Sequence, residues 1–259
     1  MKNVVAMVTA AAVLSVVASH AFAAPPVADS WTGFYYGASA GGNWFSDSTS
    51  PTVTGKPGNN ASRVQAAIAA TRFGTGASGI LGLQGGYNWR MGQSWLAGLE
   101  ADLSVGQFDG ASQTNIITGP AGHTITSTFN RDILPFGTVR GRAGVLLTPS
   151  LFAYGTGGLA YGNTHASYSI SSADAGGFPV SVTASNSQFR AGWTVGGGIE
   201  YGIQPGWRLK IEYLHFDLGN QGLTAANPSP PADVKVNFIS TVNPSFAGDL
   251  VRVGFNHSF

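Results

Sequence analysis

The stretch VRVGFNHSF, residues 251–259, has the pattern of a β-strand that is apolar on one face up to its last residue. Its odd-numbered positions hold Val, Val, Phe, His and Phe, and its even-numbered positions hold Arg, Gly, Asn and Ser. This alternation has the period of a strand with two different faces. The ends of soluble domains are usually poorly ordered. We therefore expect a strand that borders an apolar environment as far as Phe259.

The same alternation recurs along the chain. In residues 207–216, WRLKIEYLHF, the odd-numbered positions are apolar as far as Tyr213, and Arg208, Lys210 and Glu212 lie on the other face. Similar patterns predict eight strands in all. These are placed near 31–44, 78–90, 94–106, 135–147, 151–162, 189–203, 207–218 and 249–259.

The lengths of the connections select the architecture. Four long connections, 45–77, 107–134, 163–188 and 219–248, alternate with three short ones, 91–93, 148–150 and 204–206. Outer-membrane barrels combine long external loops with short periplasmic turns, and each strand needs about 9–11 residues. We therefore predict an all-β fold, an eight-stranded antiparallel up-and-down transmembrane β-barrel with four long external loops. Residues 124–131 and 180–190 are expected to form hairpin arms that protrude from it.

Composition supports an exported protein without a charged surface. Only 10% of the 259 residues are charged, against about 25% in ordinary globular proteins. The net charge of +1 excludes a basic footprint for nucleic acid, and the absence of Cys excludes disulfides and thiolate metal sites. Residues 1–23 read as a cleaved signal peptide that ends in Ala21-Phe22-Ala23, so the barrel domain is expected to span 24–259.

Charged residues gather on the faces opposite the apolar ones. In a barrel these faces point into the lumen, because a charge on the lipid face costs about 2–4 kcal/mol near the midplane. Eight strands leave an interior just wide enough for side chains to fill. We therefore predict a lumenal charge network of six cations and four anions with small conductance. Its members are Arg90, Glu100, Asp102, Arg140, Arg142, Glu200, Arg208, Lys210, Glu212 and Arg252.

The opening motif WTGFYYGASAGGNW at 31–44, together with VRVGFNHSF, resembles the opacity-like outer-membrane protein family of Gram-negative bacteria. The similarity is strongest to the branch known as outer-membrane immunogenic proteins or porin-family barrels. It implies an eight-stranded barrel in the outer membrane with variable surface loops, and it implies no activity. It also implies that Phe255 and Phe259 belong to an assembly signal read by the barrel assembly machinery. Outer-membrane lipids and lipopolysaccharide are the other expected partners, and a monomer is expected.

Candidate chemistry is sparse. His215-Phe216-Asp217 at the external end of a strand is the best candidate for hydrolysis, because surface barrel hydrolases place His beside a carboxylate there. The odd-numbered position of His215 instead places it on the apolar face of the strand, which indicates a histidine at the lipid boundary. His257-Ser258 lies at the periplasmic end, and Gly196-Gly197-Gly198 precedes no helix that could bind phosphate. The five His lack metal-ligand spacing. No catalytic residue, cofactor or metal is therefore predicted.

The first long loop leaves one matter open. Residues 61–73, ASRVQAAIAATRF, fit either a short amphipathic helix or an Ala-rich connection. Asn60-Ala61-Ser62 matches a glycosylation sequon, which we interpret as an ordinary loop in a bacterial protein.

Three functions fit the pattern. The first is a non-enzymatic barrel with a structural and surface-exposed role in the cell envelope. The second is a narrow porin for small solutes with a charged lumen, and the third is binding of a ligand or host surface by the loops. The first two differ in whether the ten charged side chains pair across the lumen or leave a path.

Overall fold

The structure is a computed structural model that describes residues 31–46, 52–55, 78–106, 110–118, 124–173, 180–226 and 238–259. The predicted signal peptide, the sequon at Asn60 and the candidate helix at 61–73 lie outside the described residues. No helix among the described residues is long and apolar enough to cross a membrane.

The described residues form strands joined by turns and short connections. The strands are β1 (Gly33–Phe45), β2 (Thr52–Gly55), β3 (Ser78–Met91), β4 (Trp95–Gly106), β5 (Gly110–Thr118), β6 (Thr124–Thr148), β7 (Leu151–Ala173), β8 (Val180–Gln204), β9 (Trp207–Asn220), β10 (Leu223–Ala226), β11 (Phe238–Val242) and β12 (Ser245–Ser258).

Eight of these strands close into a ring. The order is β1-β3-β4-β6-β7-β8-β9-β12, and β12 pairs with β1 to complete it, with every neighbouring pair antiparallel. The closing register sets Tyr35 opposite Ser258 and Phe45 opposite Gly248. Closure removes the sheet edges, whose backbone N–H and C=O groups would have no hydrogen-bond partners in lipid. The predicted eight-stranded barrel is confirmed.

The short turns are built as the sequence indicates. Thr148 and Leu151 pair across Pro149-Ser150, and Gln204 and Trp207 pair across Pro205-Gly206. Gly206 has a φ of 77°, a left-handed conformation that glycine adopts without steric cost.

Three strands extend well beyond the predicted bounds. β6 begins at Thr124, β7 continues to Ala173 and β8 begins at Val180, so residues predicted as protruding arms are continuous with barrel strands. β5 adds to the outer part of β6. We call the outer parts of β6, β7 and β8, together with β5, the arm. A separate sheet, β10-β11-β2, was not predicted and lies within two of the predicted long loops.

The outward face of the barrel is apolar, as the alternation predicts. Leu99, Leu103 and Val139 are each about half exposed in the isolated chain, the state expected of side chains that contact lipid. Aromatic residues lie towards both ends of this band. Trp95, Trp207 and Phe259 lie at the end with the short turns, and Phe189 and Trp193 lie towards the arm. An apolar band between aromatic girdles is the arrangement of an outer-membrane barrel.

Candidate functional site

Eight of the ten predicted lumenal residues meet in one buried ion cluster at the middle of the barrel. Four are cations and four are anions, so the cluster is formally neutral. All eight have at most 5% of their surface exposed. They are Glu100 and Asp102 on β4, Arg140 and Arg142 on β6, Glu200 on β8, Lys210 and Glu212 on β9, and Arg252 on β12.

Glu100 is the hub of this ion cluster. Its Oε1 accepts from Arg140 Nη2 at 2.5 Å and from Lys210 Nζ at 2.9 Å. Its Oε2 accepts from Arg142 Nη1 at 3.2 Å and from Tyr35 Oη at 2.8 Å. β4 and β9 stand opposite each other in the ring, so the contact between Glu100 and Lys210 spans the lumen.

Arg140 and Arg252 both bind Asp102 and Glu212. Arg140 reaches Asp102 Oδ2 at 3.1 Å and Glu212 Oε1 at 3.0 Å. Arg252 Nη2 lies 3.0 Å from Asp102 Oδ2 and 2.6 Å from Glu212 Oε2. Charges buried in this way are tolerable only when opposite charges and hydrogen bonds compensate them. These contacts tie β4, β6, β9 and β12 together across the interior.

Arg142 extends the cluster towards the periplasmic end. Its Nη1 lies 2.6 Å from Glu200 Oε1, and its Nε donates to Asn88 Oδ1 at 3.0 Å. The guanidinium carbon lies 4.7 Å from the centre of the Tyr35 ring and 5.1 Å from that of Tyr154. Cation–π contacts of this kind stabilise a guanidinium away from water.

Two predicted members lie elsewhere. Arg90 is exposed near the end of β3, where its Nη2 donates to the carbonyl of Gln93 at 2.5 Å. Its parity is lumenal, but the chain turns at the rim and carries the side chain out of the interior, so its predicted place in the network is wrong. Arg208 is buried, and its guanidinium carbon lies 4.3 Å from the centre of the Trp31 ring, below the ion cluster.

Trp31 closes the periplasmic end of the lumen. The residue precedes β1, is 2% exposed, and donates from Nε1 to the carbonyl of Pro149 in a short turn at 3.0 Å. Its ring lies 5.7 Å from that of Phe152, with Leu96 and Tyr154 in the same cluster. The sequence predicts no role for Trp31 beyond its place in the opening motif.

The external half of the lumen is filled mainly by apolar side chains, together with the buried Arg131, whose guanidinium carbon lies 4.3 Å from the centre of the Phe45 ring. Phe216 and Phe136 are fully buried with ring centres 4.9 Å apart, and Phe45 lies 6.2 Å from Phe216. The same cluster includes Leu214, Leu218, Leu250 and Phe246. Sequence reasoning missed this apolar plug. Its signal was available, because the even-numbered positions of β9 change from charged to apolar after Glu212.

Glycines on the lumenal face make room for these side chains. A Cβ at Gly198 would lie 2.8 Å from Tyr154 Oη and 2.6 Å from the carbonyl oxygen of Ile211. Tyr154 Oη in turn donates to Glu212 Oε1 at 2.8 Å. A glycine at position 198 therefore leaves room for crowded side chains in the lumen.

His215 lies on the outward face, as its parity predicts. Its Nδ1 lies 3.0 Å from Asp249 Oδ1, which also accepts from Tyr213 Oη at 2.5 Å. Asp217 accepts instead from the backbone N–H of Gly219 at 2.7 Å. His215 and Asp217 thus have separate partners, and Phe216 between them belongs to the apolar plug.

The two predicted assembly residues lie on the outer surface at the periplasmic end. Phe255 is 52% exposed and Phe259 is 82% exposed. The Phe259 ring lies 5.4 Å from Tyr36 and 5.8 Å from His257, whose ring is 4.7 Å from Trp207. The unpredicted feature is that His257 is enclosed by aromatic rings and forms part of this girdle.

Deleting Phe259 is expected to impair insertion into the outer membrane while export continues. The deletion removes the most exposed ring of the periplasmic girdle, which the assembly machinery is expected to read. The measurement is the fraction of heat-modifiable barrel in outer-membrane preparations, with total exported protein measured alongside. Ser258→Ala, which changes the adjacent inward residue, is the matched control. Normal amounts of folded barrel after the deletion would contradict the assembly role.

The sequence is similar to known outer-membrane proteins over most of its length. Residues 9–241 match the family described as outer membrane protein beta-barrel domain. The chain is 35% identical over 239 residues to the 31 kDa outer-membrane immunogenic protein of Brucella melitensis biotype 1, covering 92% of this chain and 87% of that protein. The protein of the same name from Brucella suis biovar 1 gives the same values.

A solved structure supports the fold. The crystal structure of the outer membrane protein OprG from Pseudomonas aeruginosa is similar with a TM-score of 0.50 and 15% identity. The match covers 88% of this chain and 97% of that chain. At this identity the likeness concerns the fold alone.

Proposed function

The chain belongs to the outer membrane protein beta-barrel domain family of the bacterial outer membrane, and from this premise we propose that it is a closed, non-enzymatic barrel. Its role is structural and surface-exposed: it anchors a rigid external arm in the cell envelope and transports no solute. The observation that carries the proposal is the filling of the lumen along its length.

Three levels of side chains support closure. Trp31 covers the periplasmic end, the ion cluster crosses the middle, and the apolar plug around Phe216 fills the external half. The porin alternative requires charged side chains that leave a path. Here eight of them pair with one another. The plug adds a second barrier, because ions do not enter a region of packed apolar side chains without a large desolvation cost.

The non-enzymatic part of the proposal is supported by the surroundings of His215. A hydrolase needs its histidine beside a nucleophile or an attacking water. The imidazole of His215 contacts Asp249 and the ring of Trp193, whose centre is 5.3 Å away, at the boundary of the lipid-facing band. An aromatic girdle residue with a fixed carboxylate partner fits an interfacial anchor.

The test is single-channel conductance of the refolded chain from Ala24 to Phe259 in planar bilayers. We expect no steady openings from protein whose folding is verified by a gel-mobility shift. The double variant Arg140→Ala/Arg142→Ala should remain silent as well, because the apolar plug is unchanged. Arg90→Ala, at an exposed turn outside the ion cluster, is the matched control. Steady wild-type openings whose ion selectivity changes in the double variant would instead support a porin.

A further inference from the structure

The outward face of the arm carries hydroxyl groups in register across four strands. Thr114 on β5 pairs with Thr128 on β6, Thr128 pairs with Ser169 on β7, and Ser169 pairs with Thr183 on β8. Directly opposed residues of antiparallel strands share a face, with neighbouring strands about 4.8 Å apart. One row therefore presents four hydroxyls side by side. We call this row and the rows on either side of it the hydroxyl face.

The neighbouring rows continue the pattern. Towards the tip of the arm, Thr126, Ser171 and Ser181 oppose one another, with Ile116 on β5. Towards the barrel, Asn130, Ser167 and Ser185 are opposed. The described members of these rows carry no charge at neutral pH, and their side chains are partly or fully exposed.

The hydroxyl face is held rigid from behind. The opposite side of the arm packs Phe129, Tyr168, Ile170 and Val182 into the apolar plug, where each is at most 7% exposed. On the face itself, Thr114 Oγ1 and Thr128 Oγ1 lie 3.2 Å apart, and Asn130 Nδ2 donates to Ser167 Oγ at 3.4 Å. A fixed array of donors and acceptors loses little entropy when it binds.

One row, Asp132, His165 and Ser187, separates the hydroxyl face from the lipid-facing band. Phe189 on β8 is 67% exposed, and its ring lies 6.2 Å from Tyr161 on β7, which marks the external girdle. Thr183 is six residues further along β8, roughly 20 Å along the strand. The surface is thus continuous with the lipid interface and lies at the level of the lipid head groups and just above them.

The chemistry of the face selects its partner. Protein interfaces are enriched in aromatic residues and Arg and are depleted in Ser, so a protein partner fits poorly. Phosphate groups are bound by Arg and Lys, and the described rows have neither. Hydroxyls that both donate and accept hydrogen bonds match the hydroxyls of sugars. The glycolipid of the outer leaflet carries such sugars directly above its acyl chains.

We propose that the hydroxyl face binds the core saccharide of the lipopolysaccharide molecules that surround the barrel. The contact runs along the side of the arm, so one glycolipid meets the aromatic girdle with its acyl chains and the hydroxyl rows with its sugars. The inference rests on the proposed function, in which the barrel anchors an external arm, and it names the ligand of that arm.

The test uses the triple variant Thr128→Val/Ser169→Ala/Thr183→Val, which removes hydroxyls while keeping side-chain size and strand propensity. The control is Thr224→Val/Thr241→Val, a hydroxyl pair 3.4 Å apart on β10 and β11, outside the rows of the hydroxyl face. The refolded chain is placed in bilayers that contain either lipid A with its core oligosaccharide or lipid A alone. The lipid retained per barrel is then measured by native mass spectrometry.

We expect the wild type and the control to retain the core-bearing lipid preferentially. The triple variant should lose this preference by about fivefold or more, because each lost hydrogen bond weakens binding several-fold. Equal retention of both lipids by the wild type, or an unchanged preference in the triple variant, would overturn the proposal. So would equally tight binding of detached core oligosaccharide in solution, which would indicate a receptor for free glycans.

A second variant distinguishes a loss of lipid binding from a failure to fold. If the triple variant gives no gel-mobility shift, Thr183→Val alone carries the same comparison at one exposed position. The single variant should then reduce the preference measurably, and no reduction would overturn the proposal. Steady conductance by the wild type would contradict the closed barrel without altering the lipid comparison, so the two proposals fail separately.

Discussion

Replacing Glu100 with Gln should lower the free energy of unfolding by about 3–5 kcal/mol, the cost of removing one partner from a buried charge pair. Glu100 accepts from Arg140, Arg142 and Lys210, and the substitution keeps its size while removing its charge. Lys210 is affected most, because its other carboxylate contact, with Glu212 Oε2, is longer at 3.8 Å. A buried cation left without sufficient countercharge has no water to compensate it.

Urea unfolding of the barrel in lipid vesicles, followed by tryptophan fluorescence and gel mobility, measures this loss. Arg90→Ala is the matched control. It removes a charge that the sequence predicts for the same network, but the Arg90 side chain is exposed at a turn. Surface substitutions usually change stability by about 0.5 kcal/mol or less. A Glu100→Gln variant as stable as the control would mean that the ion cluster contributes no net stabilisation.

The barrel could be predicted from sequence because two strong constraints coincide. The period of two fixes which side of each strand meets lipid, and the alternation of connection lengths fixes which strands are neighbours. The predicted strand starts at Trp207 and Leu151 match the structure because a tight turn precedes each. The prediction failed at the external ends, where β6, β7 and β8 continue past the membrane. Outside lipid, no apolar band marks where a strand stops.

The sequence predicts most of the residues of the ion cluster, but it does not predict which of them contact one another. Parity places Glu100 and Lys210 in the lumen, whereas their meeting across it depends on the stagger of the closed sheet, which local pattern does not encode. Arg90 shows the limit of parity at a rim, where the turn redirects a side chain. The apolar plug was missed because the lumenal face was predicted to be charged along the whole barrel. Leu214 and Phe216 are apolar residues at lumenal positions and already indicate otherwise.

Replacing Phe216 with Ala is expected to cost about 3–5 kcal/mol, the usual range for truncating a buried Phe. Phe216 is fully buried, and its ring contacts Phe136 at 4.9 Å and Phe45 at 6.2 Å between centres. These neighbours belong to different strands of a closed ring, β6 and β1, so they cannot collapse freely into the space. The cost of a cavity rises with the volume that remains unfilled, which favours the upper part of this range.

The matched control is Phe189→Ala on the lipid-facing surface, where 67% of the side chain is exposed. Lipid fills the space there, so no cavity forms and the loss should be about 1–2 kcal/mol, from the smaller apolar surface transferred out of water. Both variants are compared with the wild type by urea unfolding in the same vesicles. If Phe216→Ala costs no more than Phe189→Ala, the external lumen is not a packed core. Closure of the barrel would then depend on the ion cluster and Trp31, and the Arg140→Ala/Arg142→Ala variant should conduct.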